Sequence, residues 1–213
     1  MLAKIRVMLV DDHAVVRVGF RMLLSASSDI EVVAEADSGE LAYQRYAEIT
    51  PDVVIMDLSM PGMGGIEAVR RLLVRDKTAR VLVLSVHEDT AHAKRVLKAG
   101  ALGYLSKRTA PEELIEAVRV IAAGRIYLSA EIARKLAIQD MSGNPGAVEA
   151  LSEREFAVFL QLARGQSVNQ VAHDFHLSPS TVGTHLYHIK QKLNISNAAE
   201  MTMVALRSGL IEA

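Results

Sequence analysis

The first 125 residues alternate between short runs of hydrophobic residues and longer stretches in which hydrophobic residues recur at helical spacing. The short runs are hydrophobic throughout instead of alternating with polar residues, which is typical of strands in a parallel sheet covered on both faces. Five such runs separated by helical stretches predict a doubly wound α/β domain with a five-stranded parallel sheet. The predicted strands are Ile5–Val10, Ile30–Glu35, Val53–Met56, Val81–Ser85 and Leu102–Leu105. The predicted helices cover residues 14–25, 38–48, 65–75, 90–99 and 111–123.

Strand patterns disappear in the second half of the chain. One more short helical stretch, Ser129–Ala137, precedes a segment at 139–146 that is rich in Gly, Ser, Asn and Pro and is typical of a linker. From Leu151 onward the pattern predicts four helices, near 153–164, 167–174, 179–193 and 197–208. We therefore predict an α/β domain over 1–125, a linker helix and flexible loop over 126–148, and an all-α four-helix domain over 149–213.

The composition is that of an ordinary globular protein. The 213 residues are 50% hydrophobic and 23% charged, with a formal net charge of −1 at pH 7, which excludes a disordered or collagen-like chain. The absence of cysteine excludes a disulfide scaffold, thiolate catalysis and cysteine-bound zinc. No hydrophobic run approaches the roughly 18 residues that a membrane span needs. We therefore expect a cytoplasmic protein with no membrane partner.

Polar side chains follow the predicted strands of the first domain. Asp11 and Asp12 end the first strand, Asp57 the third and Ser85 the fourth, and Lys107 follows the fifth. The carboxyl ends of parallel strands meet at one edge of a doubly wound sheet, which is where such sheets bind ligands. Carboxylates brought together there repel one another unless a cation is present, and hard oxygen ligands suit Mg²⁺. A carboxylate nucleophile, a divalent ion, a hydroxyl and a lysine are the parts that phosphoryl transfer needs.

Four segments in order resemble the receiver domain of two-component response regulators. They are VDDH at 10–13, MDLSMPGMGG at 56–65, LS at 84–85 and GYLSK at 103–107. The resemblance covers residues 4–125, and motifs at these spacings together are highly specific. It implies that Asp57 accepts a phosphoryl group from a sensor histidine kinase, and that the chain is a phosphoryl acceptor instead of an enzyme.

The same resemblance assigns roles around Asp57. It implies that Asp12, Asp57 and the backbone carbonyl of Ser59 hold Mg²⁺, with Asp11 nearby through water. Ser85 would hydrogen-bond the phosphoryl group, and Lys107 would pair with it. Tyr104 would be the aromatic side chain that swings inward when Ser85 moves. His13 and His87 lie near the predicted pocket in the sequence, and we interpret them as surface bystanders.

The second domain contains the pattern of a helix-turn-helix. Ser178 followed by Pro179 is a strong helix start. Val182, Leu186, Ile189 and Leu193 then recur at spacings that mark one buried stripe. The opposite face carries short polar side chains of the kind that a helix in a major groove needs. The expected DNA contacts are Ser180, Thr181, Gly183, Thr184, Tyr187, His188, Lys190 and Lys192.

This segment resembles the LuxR/FixJ-type DNA-binding domain. LSEREFAVFLQLARG at 151–165, LSPSTVGTHLYHIKQKLNI at 177–195 and ALRSGLI at 205–211 carry the likeness. A receiver followed by this domain is the architecture of NarL/FixJ-family response regulators, and the C-terminal signature is most similar to their GacA/UvrY-like branch. The resemblance implies a transcription regulator in which phosphorylation switches homodimerisation and binding to double-stranded promoter DNA.

Two features of the second domain depart from a strong DNA binder. Members of the family often carry Lys where this chain has Gly183, and glycine inside a helix costs about 0.5–1 kcal/mol relative to alanine. From residue 150 onward, the chain has five Lys and Arg residues and five Asp and Glu residues, so the domain has no net charge, whereas DNA-binding domains concentrate positive charge. We expect weak binding by a monomer and useful binding only by a dimer on paired half-sites.

Three other interpretations remain open from the sequence. An aspartyl-phosphate phosphatase or phosphotransferase would use the same carboxylates, although Ser59 stands where such enzymes carry a second aspartate. A regulator that binds DNA or protein independently of phosphorylation fits the neutral second domain. His173, His176, His185 and His188 form two H-x-x-H pairs that superficially suggest zinc, but His176 falls in the predicted turn, and we place His185 at the edge of the core.

Overall fold

A computed structural model describes residues 3–141 and 147–211 of the chain. The chain forms two compact units whose main boundary along the sequence lies between Arg134 and Lys135; residues 89–91 group with the second unit, and each unit is described by itself. This division lies inside a helix, Ala130–Met141, that the sequence predicted as a shorter stretch. Most of the flexible loop predicted before residue 148 lies outside the described residues.

The first unit is a parallel sheet with helices between successive strands. The strand order is β2-β1-β3-β4-β5-β6, and every neighbouring pair is parallel. The doubly wound α/β class predicted from the sequence is confirmed. The strands are β1 Ile5–Val10, β2 Ile30–Ala36, β3 Val53–Asp57, β4 Val81–Ser85, β5 Gly103–Ser106 and β6 Tyr127–Leu128. The helices are α1 Ala14–Ser25, α2 Gly39–Ile49, α3 Gly65–Arg75, α4 Thr90–Lys98 and α5 Pro111–Ala122.

The sheet has six strands where the sequence predicted five. The additional strand, β6, pairs with β5 through Gly103 opposite Tyr127 and Tyr104 opposite Leu128. It lies in the segment 126–148 that was predicted to be linker. A strand of two residues is too short for any hydrophobic period to emerge, so the pattern along the chain did not indicate it.

Alternate residues of the strands face the two layers of helices. Val7 and Leu9 of β1 belong to a core that also contains Leu24 of α1 and Leu114 of α5. Met8, between them, is equally buried and points to the opposite face, because successive side chains of a strand alternate. Covered on both faces, the sheet presents its polar side chains at the strand ends, and parallel pairing brings those ends to one edge.

The second unit is helical over residues 147–211. It contains a 3-10 turn at Ala147–Ala150 and the four helices that the sequence predicted after Leu151. Side-chain caps begin all four: Ser152, Ser167, Ser178 and Asn197 each accept a hydrogen bond from a backbone N–H in the first helical turn. With Ala130–Met141 as α6, the helices are α7 Glu153–Ala163, α8 Val168–Asp174, α9 Pro179–Leu193 and α10 Ala198–Arg207.

Glu155 ties the first of these helices to the longest one. Its carboxylate is almost fully buried and accepts hydrogen bonds from the Ser152 backbone N–H at 2.7 Å and from Lys192 Nζ at 2.6 Å. Burial raises the pKa of the Glu155 carboxyl, but the hydrogen bonds from Lys192 and Ser152 outweigh burial and lower the pKa to about 2. The charged form therefore stabilises the packing of α7 against α9.

Replacement of this buried carboxylate tests its contribution. We expect Glu155→Gln to lower the free energy of unfolding at pH 7 by about 1–3 kcal/mol, because a charged hydrogen-bond acceptor is lost. A carboxyl whose pKa falls on folding stabilises the folded protein at pH values above its unfolded pKa of 4.5. This stabilisation is lost as the pH drops through the folded pKa of about 2. The difference in free energy of unfolding between Glu155→Gln and the wild type should therefore shrink between pH 4.5 and about pH 2. Urea unfolding followed by circular dichroism measures it.

The exposed Glu48 of α2 supplies the control. Glu48→Gln should leave the free energy of unfolding at pH 7 close to that of the wild type. A Glu155→Gln variant as stable as the wild type at pH 7 would show that the ion pair with Lys192 contributes nothing.

Candidate functional site

One lysine bridges two buried carboxylates at the carboxyl edge of the sheet. Lys107 Nζ lies 2.6 Å from Asp11 Oδ2 and 2.9 Å from Asp57 Oδ2. Asp57 is the last residue of β3 and only 2% exposed, and Asp11, which follows β1, is 4% exposed. Parallel pairing of β1 with β3, of β3 with β4 and of β4 with β5 places these distant residues at one edge.

The electrostatics of this edge favour additional positive charge. Burial raises the pKa of the Asp57 carboxyl, and the hydrogen bond and charge of Lys107 offset that effect only in part. Burial lowers the pKa of the Lys107 ammonium, but the hydrogen bonds to Asp11 and Asp57 outweigh burial and raise the pKa above its ordinary value. One ammonium thus balances two carboxylates, and Asp12 adds a third carboxylate beside them.

The donor set at this edge fits a divalent cation. Ligand atoms of Asp11, Asp12, His13 and Asp57 all lie within 4.8 Å of one another. Three carboxylates are the hard oxygen donors that Mg²⁺ prefers, and their mutual repulsion is relieved by a cation. The sequence interpretation left His13 out, yet His13 Nδ1 lies 2.9 Å from Asp12 Oδ1. Its position directly after Asp12 was the signal that could have found it.

The loop after β3 is shaped around Asp57. A Cβ at Gly65 would lie 2.2 Å from the Asp57 carbonyl oxygen, so only glycine allows the helix to begin this close to the strand. The Ser59 backbone N–H donates to Asp57 Oδ1 at 3.2 Å, which holds the Ser59 backbone against the carboxylate. Farther along, the Met63 backbone N–H donates to Glu40 Oε1 of α2 at 2.9 Å. The loop is therefore held at both ends.

Ser85 and Tyr104 both hydrogen-bond the backbone of His87. The fully buried Ser85 accepts a hydrogen bond on Oγ from the His87 N–H at 3.0 Å. The Tyr104 hydroxyl donates to the His87 carbonyl oxygen at 2.6 Å, and the Tyr104 side chain is also fully buried. The aromatic ring predicted to swing therefore lies inward in this structure, linked to Ser85 through a single residue.

In the second unit, α8 and α9 form the predicted helix-turn-helix. Between them His176 adopts a left-handed backbone conformation with φ of 52°, which reverses the chain in a short turn. Arg154 of α7 donates to the Phe175 carbonyl oxygen at 3.1 Å, and its guanidinium carbon lies 5.1 Å from the centre of the Phe175 ring. These contacts join α7 to the end of α8, where the turn begins.

One side of α9 is buried and the other is accessible. Val182 and Ile189 are fully buried in the core of this unit, and Leu186 and Leu193 pack against it, as the predicted stripe requires. The Gly183 backbone is half-buried on the other side. The exposed members of the predicted DNA-contact set are Ser180, Thr181, Thr184, Tyr187, His188 and Lys192.

Both lysines of α9 have partners inside the unit. Lys190 Nζ donates to the Ser196 carbonyl oxygen at 2.8 Å, and Lys192 Nζ pairs with Glu155. His188 Nδ1 lies 3.8 Å from the same Glu155 carboxylate. The cationic end of the predicted DNA-contact set is therefore partly neutralised by the protein itself, which the sequence did not reveal.

The two H-x-x-H pairs do not assemble a metal site. Over the part of the chain that the structure describes, His173, His176, His185 and His188 form no group able to hold an ion. His173 Nδ1 instead lies 3.3 Å from Asp174. His185 is half-buried, and burial together with the charge of Arg154 lowers its pKa. Among the described helices, none is long and apolar enough to cross a membrane.

Comparison with known families divides the chain as the structure does. Residues 7–119 match the response regulator receiver domain. Residues 149–205 match the bacterial regulatory proteins of the luxR family. The first match contains the edge formed by Asp11, Asp57 and Lys107, and the second contains the helix-turn-helix.

Individual relatives are similar over nearly the full chain. The response regulator UvrY of Escherichia coli (strain K12) is 40% identical over 213 residues, covering 98% of this chain and 97% of that protein. The response regulator GacA of Pseudomonas viridiflava is 39% identical over 211 residues, covering 98% and 99% respectively. Among solved structures, the response regulator ChrA of a heme-sensing two-component system is 38% identical and covers 99% of this chain and 100% of that chain, with a TM-score of 0.56.

Proposed function

Because the chain belongs to the two-component response regulators that join a receiver domain to a LuxR-type DNA-binding domain, we propose that phosphorylation of Asp57 by a sensor histidine kinase controls its binding to promoter DNA. The observation that carries this proposal is the ammonium of Lys107 held between the buried carboxylates of Asp11 and Asp57. Lys107 and a divalent cation held by the carboxylates would together supply the positive charge that a dianionic phosphoryl group needs. The family supports a cytoplasmic location.

Asp57 is the nucleophile in the proposed reaction. A carboxylate oxygen of Asp57 attacks the phosphorus of a phosphohistidine; the phosphorus–nitrogen bond breaks and an aspartyl phosphate forms. Asp11, Asp12, Asp57 and the Ser59 backbone carbonyl would hold Mg²⁺, which when bound neutralises charge on the phosphoryl oxygens. Lys107, already 2.9 Å from Asp57, pairs with the transferred group.

Ser85 and Tyr104 would transmit the effect of phosphorylation from Asp57 to the surface of the receiver domain. The Ser85 hydroxyl would donate its proton to the phosphoryl group while its oxygen still accepts from the His87 N–H, so a movement of Ser85 toward the phosphoryl group displaces the His87 backbone. The Tyr104 hydroxyl is bound to the same residue, so a shift of His87 alters the environment of the ring. This linkage supports a receiver with two conformations, and phosphorylation would shift the equilibrium between them.

The DNA-binding unit supports action as a homodimer. From position 150 onward, the charges of five Lys and Arg residues are cancelled by those of five Asp and Glu residues. Both lysines of α9 also have hydrogen-bond partners within the unit. Phosphate contacts supply much of the affinity of DNA-binding proteins, so a single copy of this unit binds weakly. Two copies joined by a phosphorylated receiver pair bind adjacent half-sites at high effective concentration.

The kinase would dock on an exposed hydrophobic stripe of α1. Val15, Val18 and Met22 are 85%, 55% and 70% exposed and recur at helical spacing on one face. The helix begins at Ala14, two residues after Asp12, so this stripe adjoins the acceptor edge. An exposed hydrophobic surface beside the acceptor favours a protein donor that packs against it.

The chain acts as a phosphoryl acceptor instead of a phosphatase of small esters in this proposal. Ser59 stands two residues after Asp57, at the place where aspartyl-phosphate phosphatases need a second carboxyl as general acid. The Ser59 hydroxyl is a far weaker acid than a carboxyl, so it does not supply that proton.

Phosphodonor-dependent DNA binding tests the function. Duplexes are first selected from a randomised library with wild-type chain treated with acetyl phosphate and Mg²⁺. Acetyl phosphate should then raise the affinity of the wild type for the selected duplex by about tenfold or more in fluorescence anisotropy, since dimerisation adds a second half-site. Asp57→Ala should show no such increase.

An Asp57→Ala chain that responds to acetyl phosphate like the wild type would show regulation independent of this residue. Affinity that is high without any donor would favour the phosphorylation-independent regulator. A wild-type chain that enriches no duplex would contradict DNA binding itself.

Docking on α1 is tested with a protein donor that phosphorylates the wild-type chain. Val15→Glu should slow transfer from that donor by about tenfold, because a charge would be buried against the partner. Phosphorylation by acetyl phosphate should be retained. Val74→Glu on α3 is a matched control, since Val74 is also 85% exposed. Equal transfer rates for both variants would place the docking surface elsewhere.

A further inference from the structure

Most glycines in the described residues are required by the fold. A Cβ at Gly103 would lie 2.6 Å from Ile121 Cδ1, and Gly65 lies still closer to the Asp57 backbone. Others have a positive φ, a backbone conformation that glycine adopts readily. Over the described ranges, Gly19 in α1 and Gly183 in α9 alone have neither a positive φ nor any atom within 4 Å of an added Cβ.

Gly183 therefore serves no purpose in the packing of its own unit. It lies in the interior of α9, where glycine is less favourable than alanine because it gives up more backbone freedom. An alanine would meet no neighbouring atom within 4 Å and would stabilise the helix. The packing of the unit thus does not explain the glycine, and what distinguishes Gly183 from Gly19 is its place on the exposed side of the helix-turn-helix.

The surroundings of Gly183 form a surface of short polar groups. Ser180, Thr184 and Tyr187 lie three residues before, one after and four after Gly183, and all three are exposed. No Lys or Arg occurs in α9 before Lys190. This part of the helix therefore offers a partner hydrogen-bonding groups and close approach instead of positive charge.

We propose that Gly183 is the point at which α9 comes closest to the DNA base edges, and that its bare Cα determines which sequence is bound. This inference rests on the DNA binding proposed above. Without a Cβ, the backbone of α9 approaches the floor of the major groove, and Ser180 and Thr184 reach the bases on either side of that point. Tyr187, one turn farther along the same face, contacts the flanking sugar and phosphate.

The test compares Gly183→Ala in the full chain with the duplex that the wild type selects from a randomised library. The variant should melt about 2–4 °C higher, because the helix gains an alanine. Its affinity for the selected duplex should nevertheless fall about tenfold, which is the effect of losing one base-pair contact. Its affinity for a duplex of scrambled sequence should change little. Higher stability with lower specificity cannot arise from damage to the fold.

Gly19→Ala is the matched control, since Gly19 is the other glycine that the fold does not require and lies in the first unit. It should stabilise the chain without changing affinity for either duplex. Gly183→Lys should bind both duplexes with a salt dependence steeper by about one phosphate contact, and should lose preference for the selected one.

Gly183→Ala with wild-type affinity and preference for the selected duplex would overturn the inference while leaving DNA binding intact. A wild type that enriches no duplex would overturn the inference together with the proposed function. The two failures are therefore distinguishable in one set of titrations.

Discussion

The contact on which the first unit depends is the ammonium of Lys107 between the carboxylates of Asp11 and Asp57. Two buried carboxylates at one sheet edge would repel each other strongly, and Lys107 makes their coexistence possible at neutral pH. The residues are far apart in sequence, so the contact forms only when β1 pairs with β3, β3 with β4 and β4 with β5 in register. One ammonium does not balance all the carboxylates of the edge, so the edge suits a divalent cation, which together with Lys107 would neutralise a phosphoryl group.

In the proposed mechanism, the surroundings of this ion cluster would convert a local change of charge into a movement of the backbone. Gly65 allows α3 to start against Asp57, and the Ser59 N–H holds the following loop on the carboxylate. On β4 and β5, Ser85 and Tyr104 share His87 as a hydrogen-bond partner, and both side chains are fully buried. A buried, fully packed linkage of this kind has few alternative arrangements, which is what a two-state switch requires.

The sequence predicted the parts of this structure that depend on local pattern. Strands β1 and β4 and helix α9 have the predicted bounds, because hydrophobic runs and the Ser178–Pro179 start are local signals. The two-residue β6 carries no period and was not predicted. Lys192 was assigned to DNA, yet it pairs with Glu155, 37 residues away. A contact between distant helices depends on tertiary packing, which a single sequence does not display.

Intact-mass spectrometry of the full chain after incubation with acetyl phosphate tests the central claim most directly, since it reports covalent phosphorylation independently of DNA. The account predicts that the wild type gains the mass of one phosphoryl group when Mg²⁺ is present and none when EDTA replaces it. Asp57→Ala should gain none under either condition. A folded wild type that gains no phosphoryl group from acetyl phosphate, or an Asp57→Ala chain that gains one, would contradict the assignment of Asp57 as the acceptor.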